Sequence, residues 1–143
     1  MGVNRVPFRG REFLGQRKLT VLAADSDPEI LCMLQQLVPP DVYRIDQPDD
    51  ASDLGELLRW LDVALVIVDI ALIKADHTLR SHLQFRTRLG LPAIITSQDA
   101  NPEDEILARS LGCVLYAPKP MGFWMLHQAV TELLCQPAGD AVG

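Results

Sequence analysis

The segment VALVIVDI, residues 63–70, decides the fold class of this 143-residue chain. Its first six residues are apolar without interruption, and such a run is typical of a central parallel strand that is covered on both faces. Asp69 follows the run directly. A charged side chain after a buried strand is costly unless it lies at the end of the strand among partners. The segment therefore predicts a layered α/β sheet with a polar site at its edge.

Strands and helices alternate on both sides of this segment. Leucines 54, 57, 58 and 61, for example, recur at the spacing of one helix face. The pattern predicts strands over 18–25, 41–47, 63–70, 92–96 and 113–117, and helices over 28–38, 51–61, 77–89, 101–112 and 121–134. Five strands, each followed by a helix, predict a doubly wound parallel sheet with helices on both faces.

The composition is that of one globular domain, with 48% hydrophobic and 22% charged residues and a net charge of −6. The longest apolar run has six residues, whereas about 20 are needed to cross a bilayer. The N-terminal arginines have no apolar stretch behind them, which argues against a signal peptide. We therefore expect a cytoplasmic protein without a membrane contact. The acidic balance also argues against direct binding of nucleic acid.

The charge is unevenly distributed along the chain. Residues 1–17 carry four arginines and one acid, whereas the remainder is strongly acidic. We expect residues 1–17 to be a basic, flexible extension, residues 18–135 to form the domain, and residues 136–143 to be a flexible tail.

Polar side chains follow four of the five predicted strands. In open parallel sheets, ligands bind at this carboxyl edge of the strands. Carboxylates that meet there need a proton or a cation between them, and oxygen ligands suit Mg²⁺. A carboxylate can also act as a nucleophile, while a lysine and a hydroxyl can neutralise and orient a phosphoryl group. The residues concerned are Asp25, Ser26, Asp27, Asp69, Thr96, Ser97 and Lys119.

These residues lie in four segments whose order along the chain matches that of a known family. The segments are VLAADSDPEI, LVIVDI, PAIITS and YAPKP. Over about residues 18–135 the chain resembles the response-regulator receiver domains of two-component signalling. The resemblance implies a flavodoxin-like (βα)5 fold with strand order 2-1-3-4-5.

The resemblance also implies the roles of individual residues. Asp69 is expected to be the phosphoacceptor, and Lys119 to contact the phosphoryl oxygens. Ser97 matches the hydroxyl residue that follows the phosphoryl group on activation. Tyr116 matches the switch aromatic that swings inward.

The implied cofactor is Mg²⁺, held by Asp25, by Asp69 and by the backbone carbonyl of Ala71. The family usually has a second acid after Asp25, where this chain has Ser26. Because a hydroxyl is a poorer ligand than a carboxylate, we expect weakened magnesium affinity. Asp27 could compensate only if it turned to the metal instead of capping the next helix.

The family further implies a sensor histidine kinase or a phosphotransfer protein as the phosphoryl donor. An output protein would bind the face formed by the fourth helix, the fifth strand and the last helix, and a homodimer is compatible with the resemblance. The domain would not be an enzyme beyond its own phosphorylation and dephosphorylation.

Two alternatives remain open at this point. Ser26 favours a pseudo-receiver, a protein-interaction scaffold that no longer depends on phosphorylation. Asp25-Ser26-Asp27 after a buried strand also resembles the nucleophile loop of haloacid-dehalogenase-like phosphatases. Against that second alternative, Pro28 replaces the usual Thr or Val, and the residues after Lys119 lack an acidic metal motif.

Overall fold

The computed structural model describes residues 18–60, 62–99, 101–119 and 123–135. The segments expected to be flexible, 1–17 and 136–143, lie outside the described residues, so that expectation stays a prediction.

The described chain contains five strands and six helices, with one helix after each strand except β3, which two helices follow. The strands are β1 (Leu19–Ala24), β2 (Tyr43–Asp46), β3 (Val63–Asp69), β4 (Ala93–Ser97) and β5 (Leu115–Pro118). The helices are α1 (Pro28–Leu37), α2 (Ala51–Trp60), α3 (Ile70–Ala75), α4 (His77–Arg88), α5 (Pro102–Ser110) and α6 (Phe123–Cys135).

The strands form one parallel sheet in the order β2-β1-β3-β4-β5, which confirms the predicted fold class. β3 lies at the centre, and its side chains alternate between two cores. Leu65 and Ile67 pack on one face of the sheet, and Val66 and Val68 pack on the other. An unbroken apolar run is therefore what this strand requires.

The two edge strands, β2 and β5, have only four residues each. β2 carries Arg44 and Asp46, which form an ion pair of 3.4 Å. β5 ends at Pro118, whose ring nitrogen has no hydrogen to donate. A proline is tolerated here because the strand lies at the edge of the sheet.

The short helix α3 was not predicted from the sequence. The sequence pattern predicts one helix after β3, over 77–89, whereas the chain turns into α3 directly at Ile70. The side chain of Asp69 caps this helix by accepting a hydrogen bond of 2.9 Å from the amide of Ala71. Six residues are too few to show helical periodicity, so only the capping aspartate could have indicated the helix. Asp76 then caps α4 through the amide of Leu79.

In the described part of the chain, no helix combines the length and apolar character needed to span a membrane.

Candidate functional site

Asp25, Asp69 and Lys119 meet at the carboxyl edge of the sheet. The Nζ atom of Lys119 lies 2.8 Å from Oδ1 of Asp25 and 3.1 Å from Oδ2 of Asp69. Because β4 separates β3 from β5, the lysine side chain crosses the end of β4 to reach both carboxylates. Burial alone lowers the pKa of Lys119, but its hydrogen bonds to Asp25 and Asp69 outweigh that effect and raise the pKa above the usual value. The lysine therefore serves as a counter-ion for two acids.

Asp25 is fixed by further hydrogen bonds. Its side chain is fully buried. Oδ1 also accepts a hydrogen bond of 2.9 Å from the amide of Asp27, and Oδ2 accepts one from the hydroxyl of Thr96. The positioning role of Thr96 was not predicted, although a threonine in a fully buried strand position needs a hydrogen-bond partner. Asp25 in turn holds Lys119 in place.

Asp69 is the more accessible of the two acids, with 17% of its side chain exposed against none for Asp25. It lines a cavity of about 390 Å³ together with Asp25, Ser26 and Ala71. Each of its oxygens has one described hydrogen-bond partner, the Ala71 amide or the Lys119 ammonium. Since a carboxylate offers about four lone-pair sites, Asp69 retains acceptor capacity towards the cavity.

The two residues that follow Asp25 have different surroundings. Ser26 is exposed and lines the cavity. Asp27 caps α1 by accepting a hydrogen bond of 3.0 Å from the amide of Glu29. Asp27 therefore caps the helix in this structure and is not turned towards the expected metal site.

A further acid, Asp49, lines the same cavity from the connection between β2 and α2. Asp49 was not among the predicted site residues. Its signal was available, because the carboxyl end of β2 lies at the same edge of the sheet as those of β1 and β3.

The donor set fits a magnesium ion with few protein ligands. Mg²⁺ typically takes one or two carboxylates and keeps several waters. Asp25 and Asp69 supply two carboxylates, and the ammonium of Lys119 shows that the pair attracts a cation. Within the described residues, no group of three or more His, Cys, Asp or Glu side chains could hold a metal ion. The expected role of the Ala71 carbonyl, in the first turn of α3, stays a prediction.

Ser97 is buried and lies next to a second ion pair. Its hydroxyl donates to Oδ2 of Asp104 over 3.2 Å, while Oδ1 of Asp104 accepts from Nζ of Lys74 over 3.0 Å. The hydrogen bond to Asp104 raises the pKa of Lys74. Ser97 was predicted as a site residue, but its two neighbours were not. Lys74 lies on α3, which was not predicted, and the predicted helix over 101–112 contains Asp104 without showing what it contacts. We call these three residues the Ser97–Asp104–Lys74 network.

Tyr116, the expected switch aromatic, is 8% exposed. Its hydroxyl is buried and has no hydrogen-bond partner among the described residues. The ring thus occupies an inward position in this structure.

Comparison with known proteins identifies curated relatives by sequence and solved structures of the same fold. No protein-family model matches the chain. A curated relative, "Response regulator GtcR" from Aneurinibacillus migulanus, is 31% identical over 101 residues, which cover 71% of this chain and 41% of that protein. A second, "Probable cyclic di-GMP phosphodiesterase" from Vibrio cholerae, is 27% identical over 130 residues, or 90% of this chain and 29% of that protein. The chain thus spans less than half the length of either curated relative.

Solved structures align over most of both chains. The signal receiver domain of an HD domain-containing protein from Pseudomonas fluorescens is 28% identical, with a TM-score of 0.64 over 82% of this chain and 95% of its own. A CheY-like response regulator receiver domain protein from Methanospirillum hungatei is 21% identical and has a TM-score of 0.65. That alignment covers 89% of this chain and all of the other, and it supports the fold.

Proposed function

From the premise that this chain is a response-regulator receiver domain, we propose that Asp69 accepts a phosphoryl group and that the domain signals by changing conformation. The observation that carries the proposal is the Lys119 ammonium shared between Asp25 and Asp69. This arrangement provides a nucleophilic carboxylate beside a cation that can move to a phosphoryl oxygen.

In the proposed reaction, an oxygen of Asp69 attacks the phosphorus of the donor. A new O–P bond forms, and the bond from phosphorus to the leaving group breaks, with the electron pair departing on that group. Asp69 becomes a mixed carboxylic–phosphoric anhydride. Lys119 contributes positive charge where the phosphoryl oxygens arrive, and Asp25 keeps the lysine in position. A magnesium ion bound by Asp25 and Asp69 would neutralise further charge on these oxygens.

The physiological donor in this proposal is a sensor histidine kinase or a phosphotransfer protein. The output surface in this proposal is the face of α5, β5 and α6. Large exposed apolar residues of this part of the chain are Ile106 on α5, Trp124 on α6 and Val114 directly before β5. Since the curated relatives are much longer than this chain, we propose that the receiver controls an output unit in the same or another chain.

The direct test is the intact mass of the protein after incubation with acetyl phosphate, with and without Mg²⁺. We expect a metal-dependent gain of one phosphoryl group, with acetate as the leaving group. Asp69→Asn is the matched control, because asparagine can still cap α3 but is not an effective nucleophile. A full gain of mass in this variant, or no gain under conditions that label other receivers, would contradict the proposal.

Ser26 supports a second candidate function, a scaffold that binds partners without phosphorylation. It places a neutral, exposed hydroxyl where the family usually supplies a metal-binding acid. Magnesium titration separates the two candidates. Absence of binding at millimolar metal would favour the scaffold, and saturable binding would favour the phosphorylated receiver.

A further inference from the structure

The Ser97–Asp104–Lys74 network connects three elements around the proposed phosphorylation site. Lys74 lies on α3, five residues after Asp69, and Ser97 ends β4. Asp104 lies in the first turn of α5. A cavity of about 310 Å³ is lined by Asp69, Lys74 and Asp104 together. The network therefore borders the space next to the phosphoacceptor.

We propose that Asp104 is a positioning residue that holds the Ser97 hydroxyl before phosphorylation, so that a phosphoryl group on Asp69 must compete with Asp104 for this hydroxyl. The inference rests on the proposed function and adds a competitor to it. Asp104 acts through Ser97, and its hydrogen bonds within the described residues go to Ser97, Lys74 and Asn101.

The competition follows from the number of protons available. A serine hydroxyl has a single proton to donate, and a carboxylate can only accept. The proton that Ser97 donates to Oδ2 of Asp104 cannot at the same time be donated to a phosphoryl oxygen. The stabilisation that Ser97 provides by a hydrogen bond to a phosphoryl oxygen is therefore reduced by the loss of its hydrogen bond to Asp104.

The competing acceptor is a strong one. Only 6% of the Asp104 side chain is exposed, and hydrogen bonds to ionised acceptors are stronger than those between neutral groups. Its place is fixed independently, because its amide donates to the side chain of Asn101 over 2.8 Å. Asp104 therefore holds Ser97 from a well-defined position at the start of α5.

Lys74 lowers the cost of releasing Ser97 from Asp104. It binds the other oxygen of Asp104, so the buried carboxylate keeps a cationic partner when Ser97 turns away. Without that partner, release of Ser97 would leave a buried charge uncompensated, which is far more costly than the loss of one hydrogen bond. Half of the Lys74 side chain is exposed, so the lysine can adjust its position at little cost.

The test measures the affinity of beryllofluoride, a phosphoryl mimic, in the presence of Mg²⁺ by isothermal titration calorimetry. Asp104→Asn should bind it about tenfold more tightly than the wild type, because an amide is a weaker acceptor for Ser97. This gain in affinity should vanish in the Ser97→Ala background, so that the double variant binds beryllofluoride no more tightly than Ser97→Ala alone. Glu105→Gln is the matched control: it makes the same charge change on the same helix, at an exposed residue paired with Arg109, and should leave the affinity unchanged.

The outcomes separate this inference from the proposed function. Equal affinities for the wild type and Asp104→Asn, or a gain that persists with Ser97→Ala, would overturn the inference alone. No binding to any variant or to the wild type would overturn the proposed function and the inference with it. Should Asp104→Asn not fold, the carboxyl carbon resonance of Asp104 in the wild type provides the test. It should shift on addition of beryllofluoride, and an unchanged resonance would overturn the inference.

Discussion

At the scale of single residues, Lys119 connects stability to chemistry. Its ammonium is the cationic partner of both Asp25 and Asp69 in the described structure. Removing one partner from a buried ion pair leaves a charge without compensation. The residue proposed to assist phosphoryl transfer is therefore also a determinant of the resting fold.

Lys119→Met should lower the free energy of unfolding by about 3 kcal/mol at neutral pH, because two carboxylates lose their counter-ion. The measurement is urea denaturation followed by circular dichroism. Arg109→Met serves as the control, since its pair with Glu105 lies on the surface and is expected to contribute about 0.5 kcal/mol or less. Similar losses in both variants would argue against the bridging role of Lys119.

The difference in the free energy of unfolding between the wild type and Lys119→Met should decrease at alkaline pH. Because the pKa of Lys119 is raised in the folded state, its stabilising contribution is complete below the unfolded value of about 10.4 and is lost as the pH rises through the folded value. The gap between wild type and Lys119→Met should thus stay constant from pH 7 to about pH 9 and narrow above about pH 10.5. A gap that widened at alkaline pH would have the wrong sign.

Ser26→Asp should strengthen magnesium binding roughly tenfold, since it adds a carboxylate to the cavity that Asp25 and Asp69 line. Calorimetric titration of Mg²⁺ gives the affinity directly. Ser26→Asn adds a side chain of the same size without the charge and is the appropriate control. An unchanged affinity in Ser26→Asp would mean that this position does not face the metal.

Only some residues of the site could be predicted from the sequence. Asp25, Asp69 and Lys119 could be predicted to converge, because each lies at or directly after the carboxyl end of a strand of one parallel sheet. Lys74 and Asp104 could not, because both lie on helices, and the packing that brings them to Ser97 depends on the tertiary structure. Asp49 lies between these cases, since it follows the correct strand but is separated from it by two residues.

At the scale of secondary-structure elements, Gly112 shows how closely a helix end can be constrained. The residue follows α5 and has a φ of +85°. A Cβ atom placed there would lie 2.8 Å from Oγ1 of Thr87, whose hydroxyl donates to the carbonyl of Leu111. Two requirements therefore favour glycine, a left-handed backbone and the absence of a side chain.

Gly112→Ala should reduce stability by more than 2 kcal/mol, combining the cost of a left-handed alanine of about 1 kcal/mol with the displacement of Thr87. Gly90→Ala isolates the first effect, because Gly90 has a φ of +106° and no atom within 4 Å of the added Cβ. Chemical denaturation of the two variants measures the difference. Equal losses would show that the contact with Thr87 is relieved without cost.

The order of the elements was readable because hydrophobic periodicity is strong in long helices and buried strands. The helix α3 was missed because its six residues are too few for hydrophobic side chains to recur on one helix face. Its presence matters for the site, because the capping bond to the Ala71 amide fixes one oxygen of Asp69.

At the scale of the whole molecule, the two tryptophans lie on different helices, Trp60 on α2 and Trp124 on α6. Both are largely exposed. Since α6 belongs to the proposed output face, the fluorescence of Trp124 should change when beryllofluoride binds. Trp60→Phe should retain this change, whereas Trp124→Phe should abolish it. If the fluorescence change were lost in Trp60→Phe instead, the conformational change would lie near α2 and away from the proposed output face.

The short edge strands have a consequence for behaviour at high concentration. Four-residue edges, one with charged side chains and one ending in proline, offer little backbone for another chain to continue the sheet. Fibril growth by strand addition is therefore disfavoured, while the exposed apolar side chains of the helices remain available for contact. Any ordered self-association of this protein should accordingly join helix to helix and leave each sheet a separate unit.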